Sequence, residues 1–282
     1  MIPPIANRFV AGESPATALE HVRRLDDRNV RAIVNLLGEH YDDRADVRAD
    51  VETYRTLLED IARADLEACL SVKPTQLGLS LGEEVFRDEL ETVVEAAVEH
   101  DGFVWIDMED HTTTDTTLDA FESLANEYGN NENPRLGLCV QANLKRTRED
   151  VERLADVPGK VRFVKGAYDE PTDVAYQDST RVNEEYRRLL EYAFEHFDGG
   201  IAVGSHDPAM IDYAISLHEE YGTEFELQLL MGVREDTQEE LAREYPVYQY
   251  VPFGDRWSSY FYRRVTERKE NLWFALRAIV GR

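Results

Sequence analysis

The chain has 282 residues, 43% hydrophobic and 31% charged, enough for a sizeable core and too apolar for a disordered chain. Its 57 acidic residues outnumber 31 basic ones, giving a formal net charge of -26, and so anionic a surface repels nucleic acid and anionic lipid. It also keeps a protein soluble where salt screens charge over ~3 Å, as at 1 M, which points to a high-salt cytoplasm rather than to a merely acidic enzyme.

The start, MIPPIANRFV, lacks a basic segment followed by an apolar one, so no secretory leader is expected. No stretch approaches ~18 apolar residues, so no membrane span is expected either. Eight short apolar runs then follow one another. They are RAIVNLLG (31–38), DLEACLSVK (65–73), GFVWIDMED (102–110), RLGLCVQA (135–142), VRFVKGA (161–167), GIAVGSH (200–206), EFELQLL (224–230) and PVYQYVPFG (246–254). Near-continuous apolarity suits parallel strands covered on both faces.

Amphipathic stretches separate the runs. Residues 82–101 repeat apolar side chains at Val85, Phe86, Leu90, Val93, Val94 and Ala97. Residues 147–156 open with Thr147 and carry Asp150 three positions on, in the manner of a capping box. Residues 178–197 and 207–222 are similar, the last with Asp207 at the expected N-cap and Pro208 at the first helical position. Eight strands alternating with eight helices is the count of a single-domain (β/α)8 barrel over residues 1–282. A doubly wound sheet is the alternative, since counting does not prove closure. No G-x-G-x-x-G follows any run to support it.

A barrel gathers its chemistry at the C-terminal strand ends. There the sequence places Lys73, Asp107, Glu109, Asp110, Gln141, Asn143, Ser205, His206 and Tyr250. Arg162 and Lys165 lie three apart in one run, so alternation sends at least one charge into the barrel or its mouth. A charge so deep costs several kcal/mol unless it is paired or binds an anion. Bland readings stand beside these: Lys73 in a plain ion pair with an acid such as Asp107, and His206 as a structural histidine. Cys69 and Cys139 sit in apolar runs as buried free thiols, suited to a reducing cytoplasm. No histidine has ligand spacing, so no metal is expected, and no G-x-S-x-G or H-E-x-x-H occurs. After the eighth run, Arg263 and Arg264 precede Glu267 by four and three residues. They form either a salt-bridged helix face or a fork for a carboxylate.

In this order, SVKPTQLG, IDMED, VQANLKRT, VRFVKGAYDEP, EFELQLLMG and YVPFG…YFYRRVTERKEN, with NRFVAGE ahead of them, resemble the successive motifs of proline dehydrogenases. The resemblance is to the short, monofunctional form, because 282 residues leave no room for the aldehyde dehydrogenase of the bifunctional relatives. It implies a distorted TIM-type barrel holding FAD at the strand ends. It also implies oxidation of L-proline to 1-pyrroline-5-carboxylate, with hydride passing to flavin N5 and electrons onward to a quinone or similar acceptor. A quinone would entail visits to the inner face of a membrane by an otherwise cytoplasmic protein. By the same resemblance, Arg263 and Arg264 clamp the substrate carboxylate and Glu267 steadies them. Lys73 and Asp107 form a buried pair beside the substrate, Tyr250 and Tyr260 wall its ring, and Leu230 supplies an apolar contact. Arg162 lies beside flavin N5; Gln141, Lys165, Ser205, His206 and Met108 contact the flavin. Asn143 stands where the family usually has tyrosine, Asp169 where it has an aromatic, and Ser205 where it has threonine. LLMG replaces a more aromatic pattern. An enzyme for hydroxyproline is the near rival, against which Tyr250 argues, and a barrel that has lost catalysis is the distant one.

Overall fold

The computed structural model describes residues 3, 6–130 and 132–266, with side chains as far as residue 262. Each apolar run forms a strand: β1 (Arg31–Leu36), β2 (Ala68–Val72), β3 (Val104–Ile106), β4 (Leu136–Gln141), β5 (Lys160–Val164), β6 (Ile201–Val203), β7 (Phe225–Leu230) and β8 (Val247–Phe253). All neighbours run parallel, and β1 pairs with β8 from Arg31↔Tyr248 to Leu36↔Phe253, which closes the barrel. The doubly wound alternative is thereby removed.

Helices α2 (Arg44–Arg63), α3 (Glu83–Glu99), α4 (Thr114–Tyr128), α5 (Thr147–Leu154), α6 (Ser179–His196), α7 (Pro208–Tyr221) and α8 (Glu235–Leu241) link successive strands, and α9 (Trp257–Thr266) follows β8. Asp207 caps α7 through Ala209 N, with Pro208 in the first turn as expected. Thr147 does not cap α5. The chain is already helical at Arg146 (φ -77°, ψ -20°), so Thr147 lies inside the helix. Its hydroxyl donates back to Gln141 O at 2.5 Å, and Asp150 accepts from Arg146 Nε at 2.9 Å.

A further helix, α1 (Pro15–Asp26), precedes the barrel and packs against β1 and β8. Its buried Ala18, Leu19, Val22 and Leu25 recur at helical spacing. Ser14 and Thr17 form its capping box, each side chain accepting from the other's backbone N–H. Threonine in place of the usual glutamate or glutamine hides that signature in the sequence.

Alternation along the strands divides the core. Ala32, Val34, Leu70, Val104, Ile106, Leu138, Val161, Phe163, Leu227 and Val251 face the helices in one large apolar layer. Burying each such large side chain is worth ~1.5–3 kcal/mol. Inside the barrel lie Ile33, Cys69, Trp105 and Ala202, with Phe103, Tyr248 and Tyr250 against them. Both cysteines are free and buried. Gly137 is dictated by Trp105, because a Cβ there would come within 2.4 Å of the indole.

Candidate active site

The strands stop where polar residues begin. Lys73 follows β2, Asp107 and Met108 follow β3, Lys165 follows β5, and Ser205 and His206 follow β6, while Gln141 and Leu230 end β4 and β7. The parallel register brings these ends to one face, and all of them line a single cavity of about 490 Å³. Arg162, Tyr250 and Tyr260 line it too. That volume lies in the range of small-molecule and cofactor sites. Because β5 ends at Val164, Lys165 belongs to the loop; strand alternation no longer separates it from Arg162, and both reach the cavity.

Asp107 is the centre of the inner part. Its Oδ1 accepts from Ser71 Oγ at 2.7 Å and from Arg162 Nη2, and its Oδ2 accepts from the Tyr250 hydroxyl at 2.8 Å. Arg162 is 5% exposed, donates through Nη1 to Gln228 Oε1 at 3.2 Å, and lies over the Trp105 ring at 5.0 Å. Its Nε has no hydrogen-bond partner among the described residues. Burial is the largest single influence and works against the guanidinium charge, yet Asp107, Cys139 and Tyr250 together outweigh it and hold the Arg162 pKa above its ordinary value. Burial, with the adjacent Asp107 charge, pushes the Tyr250 hydroxyl well above the usual tyrosine range. Tyr250 is therefore a donor, not a base, at neutral pH.

The expected Lys73–Asp107 ion pair is not formed. The Asp107 oxygens are taken by Ser71, Arg162 and Tyr250. Lys73 is 7% exposed, shares the cavity with Asp107, and its charge instead favours the ionised form of Glu109. Glu109 accepts from Thr75 N and Oγ1, each at 2.7 Å, and burial, the larger influence, raises its pKa.

The outer part is built on loops. Lys165 Nζ donates to Asp207 Oδ2 at 2.8 Å, a bond that holds the Asp207 carboxyl below its ordinary range. Ser205 Oγ accepts from Asp207 N at 3.2 Å, and Leu230 N donates to His206 Nε2 at 2.9 Å. Gln141 spans two loops, donating to Glu109 O at 2.8 Å and accepting from Ala167 N at 3.3 Å. Gly166 has φ +116°, and a Cβ there would lie 2.2 Å from Asn143 Oδ1. The departure from tyrosine at position 143 thus packs against the turn that borders the cavity.

Tyr260, in the first turns of α9, is 7% exposed at the mouth. Arg263 and Arg264 follow on the same helix, but their side chains, and Glu267 altogether, lie outside the described residues. Sequence reasoning gave no role to Ser71, Gln228, Trp105 or Cys139. Strand alternation was the available signal, since each shares the inward register with an assigned neighbour. Among the described residues, no group of three His, Cys, Asp or Glu could hold a metal, and no helix is long and apolar enough to cross a membrane.

Fold and cavity together define a (β/α)8-barrel enzyme with a charged, aromatic-walled mouth. The pattern of the Proline dehydrogenase family matches residues 18–277. Proline dehydrogenase 1 of Bacillus subtilis (strain 168) is 34% identical over 280 residues, covering 98% of this chain and 90% of that protein. The proline dehydrogenase of Deinococcus radiodurans is 35% identical over 285 residues, with the same coverage of 98% and 90%. In fold, the chain resembles the proline utilization A (PutA) structure from Bdellovibrio bacteriovorus inactivated by N-propargylglycine. The TM-score is 0.85 and the identity 23%; the match covers 95% of this chain and 33% of that one, so this chain spans about a third of the PutA chain. The chain belongs to the proline dehydrogenase family, a family of oxidoreductases.

Proposed function

We propose that the protein oxidises L-proline to 1-pyrroline-5-carboxylate with FAD in the cavity. The observation that carries this reading is the Asp107–Arg162–Tyr250 constellation in the cavity wall. The residues present fit the cofactor: the cavity of about 490 Å³ is lined by the cationic Arg162 and Lys165 and by the amide of Gln141 and the hydroxyl of Ser205, donors suited to a flavin's carbonyl and phosphate oxygens. Arg162, Gln141, Lys165, Ser205, His206 and Met108 would hold the flavin, which when bound supplies the hydride acceptor.

The chain's own residues bind, orient and desolvate the substrate. Tyr250, Tyr260 and Leu230 wall a small ring, and catalysis of this type needs reacting atoms held ~3–3.5 Å apart. Arg263 and Arg264 would fork the proline carboxylate, with Glu267 holding them. Lys73 and Asp107 are the charged groups facing the ring nitrogen, which must be neutral for its carbon to lose hydride. Asp107 also fixes the Tyr250 side chain at the ring by accepting its hydroxyl hydrogen. Electrons then leave to a quinone or similar acceptor, through transient contact of a cytoplasmic protein with the inner face of a membrane. The net charge of -26 is read as adaptation to high salt.

Mixing the purified yellow protein anaerobically with L-proline tests the activity: the flavin absorbance should bleach, and a spectrum that stays oxidised rejects the reading. Arg264→Met should raise the proline KM by ~10- to 150-fold with flavin still bound, the worth of a buried hydrogen bond to a charged group. An unchanged KM removes the clamp. Dilution from molar salt should lower the Tm through self-repulsion, and a salt-independent Tm rejects the high-salt assignment.

A further inference from the structure

On its β5 and β7 side, the interior of the barrel below Arg162 is polar, where large branched residues usually fill such folds. Arg162 Nη1 donates to Gln228 Oε1 at 3.2 Å, Gln228 Nε2 donates to Glu226 Oε1 at 2.7 Å, and Glu226 Oε2 accepts from Lys160 Nζ at 2.6 Å. Lys160 and Arg162 are two apart on β5, and Glu226 and Gln228 two apart on β7, so each pair points inward. Between them β6 contributes only Ala202, the register partner of both Arg162 and Glu226. A methyl group there leaves room for the longer side chains to meet across the strand. The column runs from the cavity to the opposite face of the barrel, where Lys160 is the one member partly exposed, its side chain 26% accessible.

An amide is nearly symmetric in shape, and only its partners decide which end faces which way. Guanidinium is donor only and carboxylate acceptor only. With Glu226 below taking the amide hydrogens, the Gln228 oxygen must face Arg162. We infer that Glu226 is a positioning residue for Arg162: through Gln228 it fixes the guanidinium in the cavity wall, although it touches neither substrate nor cofactor. Lys160 neutralises Glu226 and lies 5.3 Å from the Phe103 ring, which packs edge-on against Trp105 beneath Arg162.

This inference rests on the flavin reading, and the test separates the two. The midpoint potential of the bound flavin and the FAD Kd are measured in the full-length holoenzyme, in Arg162→Ala, and in Glu226→Gln and Gln228→Leu. Arg162→Ala should lower the potential most, because a cation stabilises reduced flavin. Glu226→Gln and Gln228→Leu should lower it too, by up to a tenfold shift in the oxidised-to-reduced equilibrium, or ~30 mV for a two-electron couple. A carboxylate that acted only through its field would have the opposite sign, since removing a negative charge raises the potential. A rise, or no change, at both positions overturns the inference while a lowered potential in Arg162→Ala leaves the flavin reading standing. An unchanged potential in Arg162→Ala overturns the inference and removes Arg162 from beside the flavin, while anaerobic bleaching by L-proline decides the flavin reading separately. A purely structural role would lower the Tm and leave the potential of the folded fraction where it was. Should either buried variant fail to fold, Glu226→Asp carries the test: it keeps the charge but withdraws the carboxylate from Gln228, so a lowered potential supports positioning and an unchanged one overturns it.

Discussion

The two ends of the barrel each bury an acid against a base, and they complete the pairing differently. At the floor, the Glu226 carboxylate is satisfied by Lys160 and Gln228, and its lysine reaches solvent. At the mouth, Asp107 collects three donors and Arg162 is 6% accessible at its side chain, yet the Arg162 Nε bonds to nothing described. Both ion pairs carry burial costs. The floor pair ends in water, whereas the mouth pair ends in a cavity. The mouth pair therefore holds a buried, charged guanidinium in the wall of a space that a ligand can enter.

This contrast can be broken most directly at Asp107. Asp107→Asn leaves the Arg162 charge buried without its counter-ion, which should cost about 3–5 kcal/mol in urea unfolding and abolish proline-dependent flavin bleaching. Glu226→Gln should cost less, because the released Lys160 can rehydrate. Equal losses at the two ends would show that the mouth pair is an ordinary structural one. Gly137→Ala comes next: its methyl would press on Trp105, the floor of the Arg162 site, at an overpacking cost of about 1–3 kcal/mol in the same measurement. If stability is unchanged, Trp105 is not the fixed platform the geometry describes.

The smallest effect concerns the flank. Burial lowers the pKa of His21 on α1, against the opposing influence of its 2.7 Å bond to Gln249 on β8. The folded state therefore resists protonation more than the unfolded chain does. Its contribution is fully present above the unfolded value of ~6.5 and is lost as pH falls through the lower folded one. The Tm should decline from pH 7 towards 5, and His21→Asn should flatten that decline. An identical slope would show that α1 docks without help from this histidine.

Architecture was largely legible in the chain because burial on both faces writes itself as apolar runs, and helices 82–101, 178–197 and 207–222 came within two residues of their observed ends. The additional α1 was missed because it lies ahead of the first strand and its cap uses threonine. Residues at the strand ends were legible for a similar reason: Lys73, Asp107, Gln141 and His206 interrupt apolar sequence where a core would be expected. Pairing was not legible. Lys73 and Asp107 are neighbours around the barrel, but Arg162, two strands further from Asp107, outcompetes the lysine because its fork reaches across the interior above Trp105. Ser71 and Gln228 look like ordinary strand polar residues until the closed register turns them inward.

Cys139 lines the cavity, whereas Cys69 sits deeper in the barrel, its thiol pushed up to about 12 by burial. Burial raises the Cys139 thiol as well, so at neutral pH both remain protonated and react sluggishly. The protein thus carries a natural occupancy gauge. A small uncharged thiol label should tag Cys139 when the cavity is open and be shielded by a molecule seated there, with Cys69 as the internal standard that stays dark in both.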